Sequence, residues 1–156
     1  MPNDLDQHDL RLLAALESNG ALTNQELAEV VHLSASQCSR RRQRLEAEGY
    51  IIGYRAVLDA AKLGYELLVF IQVTLAAHNP DNARHFADLI ARTPEIHEAY
   101  MMTGDADYLL KAQVRSLTAL TDLVNRVLLP HDTVARLRSN IVLVRLKAEG
   151  RLVGQS

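Results

Sequence analysis

Two hydrophobic rhythms divide the chain. Up to about residue 50 the apolar positions recur at three- and four-residue intervals between polar breaks; from residue 65 they alternate or run together in β-branched stretches. Asp6 and Asp9 stand at N-cap and N3 spacing before Leu10, Leu13 and Leu16, which predicts a helix ending near Gly20. Thr23-Asn24-Gln25-Glu26 is a capping box for a second helix, with Leu27, Val30 and Val31 on its apolar side. The joint Val31-His32-Leu33-Ser34 leaves room only for a tight turn. Ser34-Ala35-Ser36-Gln37 then opens a third helix that runs to Gly49. Leu10, Leu13, Leu16, Leu27, Val30, Leu33 and Leu45 are the expected core of the three. Tyr50 to Val57, turning at Gly53, reads as extended chain: a wing or hinge strand, not a fourth helix.

The second rhythm predicts strands at Tyr65–Leu75, Ile96–Thr103, Tyr108–Val114 and Val134–Leu146. Pro80 opens a helix with Phe86, Leu89 and Ile90 inward, closed before Pro94. Ser116 caps another, with Leu117, Leu120, Leu123, Val124 and Val127 on one face, ended by Pro130. The order is β-α-β-β-α-β, the ferredoxin-like split unit, so the fold class is α+β. Two helices cover one face of a four-stranded sheet. Since Leu67 to Ile71 and Ile141 to Val144 are apolar at every position, the other face is expected to pair with a second copy as a homodimer.

Composition narrows the class without choosing within it. With 48% apolar residues in 156, the chain fits one globular domain or two small ones, and no apolar run reaches the length of a membrane span. The acidic N-terminus is unlike a signal peptide, and a single cysteine, Cys38, excludes an internal disulfide and suits the cytoplasm. Six scattered histidines show no close pair at metal-ligand spacing, and no nucleophile with a neighbouring base, phosphate loop or cofactor signature is present. Neither a metal, a cofactor nor an enzyme activity is therefore expected.

The third helix carries the chemistry of the first half. Arg40, Arg41, Arg42 and Arg44 precede its first acid, Glu46. With Cys38 taken as inward, Leu45 falls beside it and Arg41 and Arg42 flank it, their stems able to lie along the core and their heads to reach phosphates or an acid such as Asp9. Ser36, Arg40 and Gln43 point away, with Gln37, Ser39 and Arg44 on the shoulders. Hydroxyls, amides and guanidiniums on one face are what read base edges and clamp phosphates. A solvated basic face is the plainer reading of an arginine run. A second short capped helix on a tight joint favours a helix laid in the DNA major groove. The net charge of −2 requires that the basic surface be local and the affinity salt-dependent.

In the second half, Gly104-Asp105-Ala106-Asp107 is first of all a β-turn. Such a turn can also present backbone N–H groups to a carboxylate while Asp105 or Asp107 meets an ammonium, which suits a zwitterionic amino acid.

Leu5-Asp6-x-x-Asp9, Glu26-Leu27-Ala28, Leu33-Ser34-x-Ser36, Arg41-x-x-Arg44-Leu45-Glu46-x-x-Gly49-x-Ile51, Leu63-Gly64 and Thr103-Gly104-Asp105-x-Asp107-Tyr108 occur in order. Together with the element order they resemble the Lrp/AsnC (feast/famine) family of transcription regulators, from Leu5 to about Lys147. Two departures stand out: His32 replaces the small residue usual in the helix joint, and Arg42 replaces an aliphatic one. The resemblance implies a winged helix-turn-helix domain at 1–52, a wing or hinge strand and linker at 53–64, a ferredoxin-like dimerisation and effector domain at 65–147, and a tail at 148–156. It implies binding of palindromic double-stranded DNA as a dimer, assembly into tetramers or octamers, and control by an amino acid or related small effector. The DNA-contacting set is then Ser34, Ser36, Gln37, Ser39, Arg40, Arg41, Gln43, Arg44 and Arg55. The effector set is Tyr100, Met102, Thr103, Gly104, Asp105, Asp107 and Ser139, Ser139 matching a position where the family commonly has threonine. A ligand-free DNA-organising protein, a regulatory subunit whose basic helix docks on an acidic protein, and a small enzyme using Asp105 and Asp107 are the competing expectations.

Overall fold

The computed structural model describes residues 5–147, 150 and 152–153. The described residues resolve into two compact units, one of those up to Val57 with those from Lys147 onward, the other of Leu58–Leu146.

The first unit is three helices, α1 (Gln7–Ser18), α2 (Asn24–Val31) and α3 (Ala35–Ala47). Each begins in a reciprocal capping box, Asp6 with Asp9, Thr23 with Glu26 and Ser34 with Gln37, so all three start where the sequence predicts. The joint between α2 and α3 is closed by His32 in the left-handed conformation (φ 56°, ψ 47°), with its N–H on the Ala28 carbonyl. Leu12, Leu16, Leu27, Val31, Cys38 and Leu45 form the buried core. Two expected core positions are displaced around their helices. Leu10 and Val30 are exposed, and Leu12 and Val31 take their places. The reason in α1 is Asp9: its capping and ion-pairing role turns that side of the helix inward and carries Leu12 with it. The segment from Tyr50 to Val57 joins no sheet among the described residues, so the expected wing or hinge strand has no ladder there.

The second unit is β1 (Leu67–Leu75), α4 (Pro80–Ala91), β2 (Ile96–Met101), β3 (Tyr108–Val114), α5 (Leu117–Asp122) and β4 (Val134–Ile141). The strands lie in the order β2-β3-β1-β4, all neighbours antiparallel, which is the ferredoxin-like arrangement. On β1, Val69, Ile71, Val73 and Leu75 are buried with Phe86, Leu110, Ala112, Leu120, Leu123 and Leu128. The alternate positions Leu68, Phe70, Gln72 and Thr74 are only half-buried, so β1 is not apolar on both faces to the same effect. That open face continues through Leu109 and Lys111 on β3 and Arg138 and Asn140 on β4 by register.

Three further expectations change. α5 passes at Leu123–Leu128 into a π-helical turn, with Leu129 N–H on the Val124 carbonyl five residues back. The wider turn spaces the buried positions as Leu120, Leu123 and Leu128, leaving Leu117 exposed and Val124 and Val127 at the margin of the core. β4 ends at Ile141, and Leu143, Val144 and Leu146 are exposed. β2 ends at Met101 because Met102 N–H turns to the Asp107 carbonyl and closes the loop.

Candidate DNA-reading helix and effector loop

α3 presents Ser36, Gln37, Arg40 and Gln43 to solvent, and Ser39 half so. Its N-cap is busy. The Ser34 backbone N–H donates to Gln37 Oε1 at 3.0 Å and the Ser34 hydroxyl to the same oxygen at 3.0 Å, while Ser34 Oγ accepts from Gln37 N–H at 3.2 Å. Gln37 thus spends its carbonyl on the cap and keeps its amide N–H groups for a partner.

The arginines are not equivalent. Arg41 Nη1 donates to Asp6 Oδ2 and to Asp9 Oδ1, both at 2.7 Å, and Arg44 Nη2 to Asp9 Oδ2 at 2.5 Å. Asp9 is fully buried. The contact expected between Arg41 and Asp9 is there, and Arg44 joins it. Hydrogen bonds to Asp9 raise both arginines further above their ordinary range, and the N–H of Asp9, assisted by Arg41, lowers the Asp6 carboxyl to about 2. Arg42 turns the other way, to Glu46, to the Tyr54 hydroxyl at 3.0 Å and to the Leu22 carbonyl at 3.0 Å. Arg40 makes no ion pair among the described residues, and Arg55 is exposed beyond the helix. Asp6, Gln37, Arg40, Arg41 and Arg44 line a surface depression of about 320 Å³.

In the second unit the loop from Met102 to Asp107 is held from beneath. Asp107 Oδ2 accepts from Leu75 N–H at 2.7 Å, Oδ1 meets His78 Nε2 at 2.9 Å, and Asp107 N–H donates to the Val73 carbonyl. The Leu75 N–H, with His78, draws the Asp107 carboxyl below the usual range. That side chain is committed to the fold. Gly104 has φ 119°, and a methyl group in place of its α-hydrogen would meet nothing within 4 Å, so backbone conformation and not crowding calls for glycine there.

Met102, Thr103 and Asp105 line a cavity of about 640 Å³ together with Gln72, Thr74, Ala106, Arg136, Leu137 and Arg138. Arg136 and Arg138 are the residues sequence reasoning missed. They follow the loop by about thirty positions, and only the pairing of Gln72 with Arg138 and Thr74 with Arg136 brings them to it. Met102 also borders a second cavity of about 320 Å³, lined by Leu75, His78, Pro80, Ala83, Met101 and Tyr108 among others. Tyr100 and Ser139 lie outside both. Tyr100 is on the open face, where its hydroxyl donates to Glu98, while Ser139 pairs with Ile71 and shares the helix-covered side.

Family models match both halves of the chain: a winged helix-turn-helix DNA-binding model at residues 5–52 and the Lrp/AsnC ligand binding domain at residues 68–152. The leucine-responsive regulatory protein of Rhizobium meliloti is 38% identical over 144 residues, covering 92% of either chain. That of Escherichia coli is 37% identical over 150 residues, covering 96% of this chain and 92% of its own. Among solved structures, a transcriptional regulator of Neisseria meningitidis in complex with L-methionine superposes with a TM-score of 0.90 at 36% identity, covering 92% of this chain and 93% of its own. Escherichia coli AsnC superposes with a TM-score of 0.82 at 28% identity, covering 94% and 97%.

Proposed function

The chain belongs to the Lrp/AsnC family of transcriptional regulators, and from that premise we propose how its two units divide the work. It is a DNA-binding regulator modulated by a small ligand. α3 is the reading helix: Ser36, Gln37, Ser39, Arg40 and Gln43 meet base edges and nearby phosphates, Ser34 fixes the start of the helix, and Arg55 adds a phosphate contact. Exposure of that set on one side of a capped helix supports the assignment. Two subunits place two such helices on the halves of a palindromic operator. The open sheet face supports pairing: Leu68, Phe70 and Leu109 lie there half-buried, opposite the face that α4 and α5 cover. Tetramers or octamers would add further half-sites, and the working compartment is the cytoplasm.

The effector is an α-amino acid or a related small acid. One observation carries this: the cavity at the Met102–Ala106 loop, on the sheet face that pairing would cover and so at the seam between two copies, joins one carboxylate, Asp105, to two guanidiniums, Arg136 and Arg138. A zwitterion needs both signs, with the ammonium on Asp105 and the carboxylate on the arginines. Thr103 offers a hydroxyl, Gly104 lets the loop turn, and Met102 offers polarisable apolar surface to the ligand's side chain. The ligand changes DNA occupancy only to the extent that it binds one assembly better than another.

A thermal-shift screen against the twenty amino acids tests the reading. Ligand at a hundred times its dissociation constant adds about 2.7 kcal/mol to stability. A selective shift that disappears in Arg138→Ala is the expected result. No shift with any amino acid, alongside cooperative binding to long DNA of any sequence, would favour a ligand-free DNA-organising role.

A further inference from the structure

Four arginines give α3 its basic character, yet three of them are held internally. Asp9 lies at the centre of this. Its Oδ1 accepts from Arg41 at 2.7 Å, and its Oδ2 accepts from Arg44 at 2.5 Å and from the Asp6 N–H at 3.0 Å. Asp6 supplies a second carboxylate to Arg41 at 2.7 Å. Two guanidiniums therefore share two carboxylates, and the group carries no net charge. Asp9 is also fully buried, so it cannot move aside to release its partners without exposing α1. A guanidinium balanced in this way contributes little to counterion release, because any phosphate it meets also meets its carboxylate.

We propose that Asp9 is a positioning residue for DNA recognition. It fixes Arg41 and Arg44 in set directions against α1, withdraws their charge from the phosphate backbone, and leaves Arg40 as the α3 guanidinium that answers to phosphate charge. The inference rests on the reading of α3 as the DNA-contacting helix. Its consequence is selectivity. Sequence-independent affinity scales with the phosphate charge neutralised, so muting two arginines weakens binding to arbitrary DNA and leaves the contrast with the operator wider.

The salt dependence of binding to a short duplex of mixed sequence, with the full chain, reads this directly. For each subunit engaged, Arg40→Ala should flatten the slope of log K against log salt by about 0.9, while removal of a balanced pair, Arg41→Ala with Asp6→Asn, should change it by no more than a few tenths. Asp9→Asn keeps the size of the side chain and removes the charge. It should steepen the slope by about 0.9 per subunit and strengthen binding to arbitrary DNA at low salt. A merely structural Asp9 would lower the melting temperature and leave the slope alone. The proposal is overturned if Arg41→Ala with Asp6→Asn flattens the slope as much as Arg40→Ala does, or if folded Asp9→Asn keeps the parent slope. Should Asp9→Asn fail to fold, Arg40→Ala and the paired Arg41→Ala, Asp6→Asn variant decide alone. A parent slope near zero would instead remove the DNA reading of α3 and this inference with it.

Discussion

The guanidinium of Arg42 lies 4.7 Å from the centre of the Tyr54 ring and donates through Nε to the Tyr54 hydroxyl at 3.0 Å. The hydroxyl in turn donates to Glu46 at 2.8 Å, and that bond, with Arg42 behind it, holds the Glu46 carboxyl below its ordinary range. This gives the arginine at position 42 a role: Arg42 fastens the segment leaving α3 back onto the helices. Tyr54→Phe keeps the ring and removes the hydroxyl, and should cost about 0.5–1.5 kcal/mol. Arg42→Ala should cost a similar amount, and the double change less than the sum by about 0.5–1 kcal/mol, since both residues serve one contact. Urea unfolding of the four proteins measures the coupling, and strict additivity would show that the two side chains act separately.

The helix starts were legible because each is written locally: a capping pair three residues apart determines both the first turn and the direction of entry. The βαββαβ order was legible for a related reason, since β1 and β3 carry their periodicity in their own residues. What escaped depends on distant partners. Leu12 replaces Leu10 in the core because Asp9 answers to Arg41 and Arg44, more than thirty positions away. The π-helical turn shifts burial from Val127 toward Leu128, and nothing in the apolar spacing distinguishes it from an α-helix. At the effector loop, Asp105 and Met102 could be named from the turn, but Arg136 and Arg138 reach it only through strand register.

His32 holds a left-handed conformation at the joint between α2 and α3, with φ 56°. A side chain there crowds its own carbonyl, at a cost of about 1–2 kcal/mol relative to the right-handed region, which glycine avoids. Glycine also loses more backbone entropy on folding, so the net gain is smaller. His32→Gly should raise stability by about 0.5–1 kcal/mol with the joint unchanged. An unchanged or lower urea midpoint would mean that the imidazole contributes an interaction of its own to the joint.

Acid should loosen the first unit through Asp6. Its folded-state carboxyl lies at about 2 against an ordinary 3.8, chiefly because it accepts the Asp9 N–H and secondarily because Arg41 is beside it. A depressed pKa means that the stabilisation is complete above the ordinary value and disappears as pH falls toward the folded one, so the loss belongs between about pH 4 and pH 2. Half-exposure of the Asp6 side chain weakens the effect through solvent screening. Asn is as good an N-cap as Asp, so Asp6→Asn should keep α1 while flattening the fall in stability across that window. Helical circular dichroism followed in urea at several pH values reads both, and an equally steep fall in the variant would assign the acid sensitivity elsewhere.

Asp105 and Asp107, two residues apart in one loop, should separate cleanly into ligand and fold. Asp107 accepts the Leu75 N–H at 2.7 Å and faces His78 at 2.9 Å, so Asp107→Asn replaces a charge-assisted bond with a weaker neutral one. A loss of about 1–2 kcal/mol is expected, with the cavity above the loop distorted as a secondary effect. Asp105 is exposed and contributes its carboxylate to the cavity that also holds Arg136 and Arg138. Asp105→Ala should leave stability within about 0.5 kcal/mol of the parent, as surface changes do. The same change should abolish the thermal shift produced by whichever amino acid binds, because the ammonium loses its counter-charge while both arginines remain. Melting curves of the three proteins with and without L-leucine or L-methionine at high concentration distinguish the roles. If Asp105→Ala keeps a full ligand shift and Asp107→Asn loses it without losing stability, the ammonium partner is Asp107 and the cavity beside His78 and Met101 becomes the place to look for the ligand.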